Sequence, residues 1–349
     1  MEFLFLCAAP AGYWQHCVHT LAEIVPDARI TCVVWELPTH SPFAFETHPR
    51  VRIIERKSLD RAGLVRLADE LRPAIVYVAG WFDPGYRHVC RRLLRSVPVV
   101  MGCDNLWEGT FRQRAMAWLG APMVRGFASH VWVPGMHQYE YARRLGFPAH
   151  RILSRLYSAA NEQFDTIAAE RSKRPPSDTI LFVGSMWPSK GVHELVAAFR
   201  QLEDRFPSWR LRMVGGGDLV ERYRGASPRI EVLGFQQPAQ LPELFRDAGA
   251  FCLPSHAEHW GVVVHEACCA GLPIITADNC GAAVALVHDG YNGFLCRPRS
   301  VGSLRDALER LMVMPVERRV EFGLRSHELS RQITPRLWVA KLLSVLRPG

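Results

Sequence analysis

Short apolar runs alternate with amphipathic stretches from one end of the chain to the other. In the first half, Glu2–Ala8, Arg29–Trp35, Ala74–Ala79, Pro98–Gly102 and His130–Pro134 read as strands buried on both faces. Between them, Gln15–Ile24, Leu64–Leu71 and Gly85–Arg95 carry apolar residues at helical spacing. The polar stretch Ile167–Asp178 interrupts the pattern, which then resumes. Strands are expected at Thr179–Gly184, Arg210–Val214, Ile230–Leu233, Ala250–Leu253 and Pro273–Thr276. Helices are expected at His193–Arg205, Ala239–Ala248, Val263–Ala270 and Val301–Met314. This alternation predicts an α/β protein with two Rossmann-like, doubly wound domains. The expected limits are 1–166, a linker at 167–178, and a second domain at 179–330. A closing amphipathic stretch within 331–349 completes the plan. Ligands of such sheets sit outside the carboxyl ends of the strands, so two facing sheets would enclose a cleft.

The length of 349 residues suits two domains, each able to bury a core. With 48% hydrophobic and 22% charged residues, disorder, collagen and coiled coil are excluded. The opening run Met1–Cys7 has no basic region before it and breaks at Pro10 and Gly12. It reads as a first buried strand, not a signal peptide. No apolar run approaches a membrane span of roughly 18–20 residues, so the expectation is a soluble or peripheral protein. Ten cysteines, none in a Cys-x-x-Cys pair, sit mostly inside apolar runs. They read as buried free thiols, which fits a reducing, cytoplasmic compartment.

Lys+Arg is 42 against 34 for Asp+Glu, a balance of +8, and only Lys57, Lys173, Lys190 and Lys341 are lysines. The excess of arginine fits either codon bias or an anionic partner. Against that background a lysine at a loop–helix junction stands out. Lys190 follows the apolar run Ile180–Val183, Gly184 and a loop, and precedes Gly191. There it can neutralise a phosphate, although Ser189-Lys190-Gly191 does not fit a P-loop. The alternative is a solvated lysine.

A second junction is more informative. The strand Ala250–Leu253 ends at Pro254, a loop carries Glu258, Gly261 permits a tight turn, and Glu266 lies about a turn inside the next helix. The N–H groups of Gly261, Val262 and Val263 would then be free for a diphosphate. Two carboxylates beside an anion site suit hydroxyl groups, which donate to them. An anion site bracketed by two diol binders describes a nucleotide-diphospho-sugar. The alternative makes Glu258 and Glu266 surface charges, or a favourable pair at a helix start. Gly215-Gly216-Gly217 after another strand permits close backbone approach to a ligand, but the spacing is not a dinucleotide fingerprint. Gly12 marks a further strand–loop–helix junction and is equally readable as a plain turn.

Residues 179–315 resemble the retaining GT-B glycosyltransferases of family 4. The E-x7-E signature stands as Glu258-His259-Trp260-Gly261 through Glu266. Val232–Phe235, Asp247–Gly249, Leu253–Ser255, Ala270–Ile275 and Asp289–Phe294 follow the same layout. The resemblance implies that Lys190 and the main chain of Gly261 to Val263 hold the donor diphosphate. It likewise assigns Glu266 to the ribose hydroxyls, Glu258 to the transferred sugar, and the main chain around Gly234-Phe235 to the base. Lys190 and Glu258 are the catalytic candidates, and no metal or other cofactor is called for. Three positions depart from the pattern: Ser185 where arginine is common, His259 for a glycine, and Ala285 for a glutamate. The first half matches loosely, with Asp104 or Asn105 as weak candidates for the acceptor side.

The resemblance implies a hydroxyl acceptor, such as a lipid-linked or cell-surface glycan precursor in polysaccharide biosynthesis. The basic face Arg87, His88, Arg91, Arg92 and Arg95, with Arg112, Arg114 and Arg125, reads either as solvated or as docking to an anionic membrane from the cytoplasmic side. His256, His259 and His265 read as loop histidines lining an anionic pocket, not as zinc ligands. Alternative functions are a catalytically silent GT-B scaffold, a sugar-nucleotide epimerase or a nucleic-acid binder. The last is opposed by the paired carboxylates, so no nucleic-acid partner is expected.

Overall fold

The computed structural model describes residues 1–8, 11–35, 47–171, 173 and 176–346. Pro10, and Ser172, Arg174 and Pro175 of the expected linker, lie outside the described residues. The chain forms two compact units, Met1–Ser158 with Pro335–Gly349, and Ala159–Thr334.

The first unit is built on seven parallel strands. They are β1 (Glu2–Cys7), β2 (Arg29–Val34), β3 (Val51–Glu55), β4 (Ile75–Ala79), β5 (Val99–Gly102), β6 (His130–Val133) and β7 (Ile152–Ser154). Their order is β3-β2-β1-β4-β5-β6-β7, so the winding reverses between β1 and β4. The unbroken apolar run of β1 has a direct cause: both of its faces are covered. Phe3 and Phe5 pack with Val18, Leu21 and Trp132 on one face, while Leu4 and Leu6 pack with Leu64, Val89 and Phe127 on the other. The helix Pro335–Leu343 packs on the helix Gly12–Ile24 of this unit. Its Trp338 stacks on Phe5 and packs against Trp132 at a centroid distance of 4.8 Å, and its Nε1 donates to the Leu156 carbonyl at 2.8 Å.

The second unit has six parallel strands. They are β8 (Thr179–Val183), β9 (Arg210–Val214), β10 (Ile230–Gly234), β11 (Ala250–Leu253), β12 (Ile274–Ala277) and β13 (Gly293–Cys296), ordered β10-β9-β8-β11-β12-β13. Both units are therefore Rossmann-like and doubly wound. Residues 167–171, expected as linker, are the last turns of the helix Glu162–Arg171 within this unit. That helix is anchored by buried Phe164, Ile167 and Ala168, and Arg171 Nε donates to the Ala270 carbonyl. The three strands absent from the apolar pattern, β3, β7 and β13, are all edge strands. An edge strand can be short or half-solvated, so it needs no long apolar run.

All ten cysteines are buried and free. No helix among the described residues is long and apolar enough to cross a membrane.

Candidate functional site

Four neighbouring strands of the second unit, β10, β9, β8 and β11, end in loops that lie side by side at the carboxyl edge of the sheet. Backbone hydrogen bonds hold the row together. Gly184 N–H donates to Val214 O, Gly215 N–H to Gly234 O, and Met186 N–H to Gly216 O. Glycine is required at Gly215, where φ is +144° and a Cβ would lie 1.8 Å from the Gly184 carbonyl oxygen. The row brings Ser185, Gly216, Gly217 and Phe235 together: a Cβ on Gly216 would sit 3.8 Å from the Phe235 Cβ, and Gly217 packs on the Met186 backbone.

Lys190 closes the turn Pro188–Lys190, and Gly191 behind it starts the helix Val192–Arg200 at φ +72°. A Cβ on Gly191 would meet the Pro254 carbonyl oxygen at 2.1 Å, so this glycine sets the β8 loop directly against the β11 loop. Across that contact, Lys190 Nζ donates to Glu258 Oε2 at 2.5 Å. Both side chains are partly buried, at 28% and 15% exposure. Ser255 Oγ donates to the same oxygen at 3.2 Å. His256, next in the loop, is tied to Glu194 through Nε2 at 2.9 Å, and its N–H donates to Ser189 O. Glu258 is fixed from behind as well, since its carbonyl accepts from Gly281 N–H at 3.0 Å.

Gly261, at φ +87°, turns the chain into the helix Val262–Cys269. A Cβ on Gly261 would lie 3.1 Å from the Glu258 Cγ, so the helix start stands beside the Lys190–Glu258 pair. The first N–H groups of the helix have no intrahelical acceptor, which makes this corner receptive to an anion. Glu266, inside the helix, is partly buried, and its carboxylate forms no hydrogen bond or ion pair with a described residue. Desolvation pushes its carboxyl up to about 7. It is thus held close to the point of protonation, with its hydrogen-bonding capacity unspent.

His265 departs from the sequence expectation. It is no loop residue: it lies within the helix and is fully buried. Its Nδ1 accepts from Ala159 N–H at 3.0 Å, and Nε2 faces the Ser330 carbonyl at 3.1 Å. That pairing requires the neutral Nε2–H tautomer, and burial lowers its pKa to about 4. Of the other two histidines, His256 is held by Glu194 and His259 is exposed. Among the described residues no group of three or more His, Cys, Asp and Glu is placed to hold a metal ion.

The remaining candidates lie in the first unit. Asp104 and Asn105 line a cavity of about 1190 Å³ at the reversal between β1 and β4, with Tyr13, Tyr77 and Trp81. Asp104 Oδ2 accepts from Tyr157 Oη at 3.1 Å. Gly12 opens the helix Gly12–Ile24, between cavity residues Ala11 and Tyr13. Sequence reasoning gave no role to Ser255, although Leu253–Ser255 follows the family layout, and passed over Glu194, which carries no pattern of its own; each holds a neighbour.

Residues 163–328 match the model of the glycosyl transferases group 1 family. Over 154 residues the chain is 32% identical to a Mycobacterium tuberculosis glycogen synthase, covering 42% of this chain and 37% of the relative. Over 207 residues it is 32% identical to the D-inositol 3-phosphate glycosyltransferase of Corynebacterium glutamicum, covering 54% and 48%. The matches span less than half the length of these relatives. Among solved structures, Anabaena Alr3699/HepE in complex with UDP superposes with a TM-score of 0.77 at 19% identity, covering 99% of both chains. WaaG, a glycosyltransferase involved in lipopolysaccharide biosynthesis, does so with a TM-score of 0.69 at 14% identity, covering 100% of both. The two tandem sheets are thus a GT-B fold, and it is the second unit that carries the match to the glycosyl transferases group 1 family.

Proposed function

We propose that the protein is a glycosyltransferase that takes a sugar from a nucleotide-diphospho-sugar and passes it to a hydroxyl acceptor with retention of anomeric configuration. The observation that carries this reading is the Lys190–Glu258 pair, set beside the free helix start at Gly261. Lys190 and the N–H groups of Gly261, Val262 and Val263 hold the diphosphate and stabilise the charge it gains on departure. Glu266 receives the ribose hydroxyls, and the loops of Gly216, Gly217 and Phe235 receive the base. Ser185 stands at the phosphate side, where it offers a hydroxyl instead of a second cation.

Binding of the donor redistributes the charges. Lys190 turns from Glu258 to the phosphate, and Glu258 is released to accept from hydroxyls of the transferred sugar and to stabilise oxocarbenium character. In the transfer the C1–O bond to phosphate breaks and the acceptor oxygen bonds to C1 from the same face. The acceptor proton passes to the departing diphosphate oxygen. Asp104 and Asn105 are assigned to the acceptor side. HepE binds UDP and UDP-glucose, which makes a uridine donor the first to test.

The test is a turnover and binding screen with UDP-, GDP- and ADP-sugars on the wild type, Lys190→Ala and Glu266→Ala. One nucleotide sugar should be bound and consumed, and both variants should lose binding. If none binds, or both variants bind like wild type, the assignment is wrong. Binding without turnover of any kind would favour a silent scaffold.

A further inference from the structure

The first unit carries a feature that donor chemistry leaves unused. In the helical segment from Phe111 to Arg125, Phe111, Trp118 and Leu119 are 88%, 80% and 68% exposed. Three large apolar side chains so near one another and so far out of the core need a partner that water does not supply. The segment includes a π turn at Met116–Gly120, and Met116 and Met123 line the cavity of Asp104, with Arg112 and Leu119 also among its lining residues though both are exposed. One element therefore walls the cavity, carries Arg112 and Leu119 at its rim, and presents Phe111 and Trp118 outward.

Charge identifies the partner. Arg112, Arg114 and Arg125 are exposed, and none forms an ion pair with a described carboxylate. Between Pro84 and Tyr139 there are seven arginines and two carboxylates, Asp104 and Glu108, so this stretch carries 7 − 2 = +5 of the chain's +8. A second copy packed face to face would set these arginines against their equals. An anionic bilayer satisfies both features, because aromatic rings seat at the level of the headgroups while arginines pair with lipid phosphate. By contrast, the arginines of the neighbouring helix Pro84–Leu93 are partly committed, Arg92 to Asp69 and Arg87 to the Met123 sulfur.

We propose that the segment Phe111–Arg125 docks the first unit on an anionic bilayer, with Phe111, Trp118 and Leu119 in the interface and Arg112, Arg114 and Arg125 at the phosphates. This docking does not depend on the donor chemistry of the second unit, and the experiment reads it apart from any turnover. The full chain is floated with phosphatidylcholine vesicles, with and without phosphatidylglycerol, at low and high salt. Wild type should bind only the anionic vesicles, and less at high salt. Phe111→Ser/Trp118→Ser/Leu119→Ser should weaken partitioning at least about tenfold. Arg112→Gln/Arg114→Gln/Arg125→Gln should remove the salt dependence. Because all ten native thiols are buried, a fluorophore on Leu119→Cys labels this site alone, and its emission should shift to the blue on anionic vesicles. Absent wild-type binding, an undiminished serine variant, or a wild-type dimer that the serine variant turns to monomer would each overturn the proposal.

Discussion

Two neighbours on the site helix should give the stability of the protein opposing pH dependences. His265 has its pKa lowered by burial to about 4 from an ordinary 6.5, and Glu266 has its carboxyl raised by burial to about 7 from an ordinary 4.5. Each displacement spans about 2.5 pH units, which at about 1.4 kcal/mol per unit amounts to about 3–4 kcal/mol. For His265 the unfolded chain takes up the proton first. Its contribution is complete above pH 6.5 and is lost as the pH falls toward 4. For Glu266 the folded chain holds the proton longer. Its contribution is complete below pH 4.5 and is lost as the pH rises toward 7. Between pH 4.5 and 6.5 the two slopes cancel. Urea unfolding of the wild type, His265→Asn and Glu266→Gln at a series of pH values separates them. Relative to wild type, His265→Asn should gain stability on acidification through this window, and Glu266→Gln should lose it, each by about 1.4 kcal/mol per pH unit. Titrations common to all three proteins drop out of these differences. Three parallel profiles would show that burial does not hold either group away from its ordinary pKa, and the reasoning would fail.

Other outcomes follow from the same geometry. Lys190→Met should lower kcat/KM on the nucleotide sugar by about 10²–10³-fold, whereas Glu258→Gln, which keeps an acceptor for Ser255, should lower kcat more than it raises KM; steady-state kinetics separate the two. Gly191→Ala forces a Cβ against the Pro254 carbonyl oxygen at positive φ, and should cost about 2–4 kcal/mol in denaturant titration together with donor binding. Trp338→Ala empties the aromatic stack on Phe5 and Trp132, and should cost the first unit about 3–5 kcal/mol. Thiol titration of the native protein should find no fast-reacting cysteine, and ten should appear in denaturant.

The interior of the fold was legible because interior parallel strands have no solvated face. β1, β2, β4, β8 and β11 are continuous apolar runs for that reason, and each was read within a residue or two of its limits. The edge strands β3, β7 and β13 have no such requirement, and the helix Glu162–Arg171 is too polar to separate from a linker by composition. At the candidate site, the placement of Lys190, Glu258 and Glu266 at loop–helix junctions was legible because a strand end, a glycine turn and a helix follow one another in the chain. Partners drawn from distant positions carry no local signal. The Glu194–His256 contact spans 62 residues, and the His265 contact to Ala159 spans 106. Asp83 is a comparable case in the first unit: it is buried, and it accepts from Trp35, Arg56 and the Tyr86 N–H, yet nothing in its surroundings marks it as a hub.

The helix Pro335–Leu343 belongs to the first unit by packing but is synthesised only after the second unit. The core around Phe5 and Trp132 must wait for Trp338, whereas Ala159–Thr334 is one uninterrupted stretch with all of its strands in hand before that residue is made. On the ribosome the order of completion is therefore inverted: the half translated second can finish folding first. Until the helix Pro335–Leu343 arrives, the half translated first has an apolar sheet face open to chaperones and to misassembly.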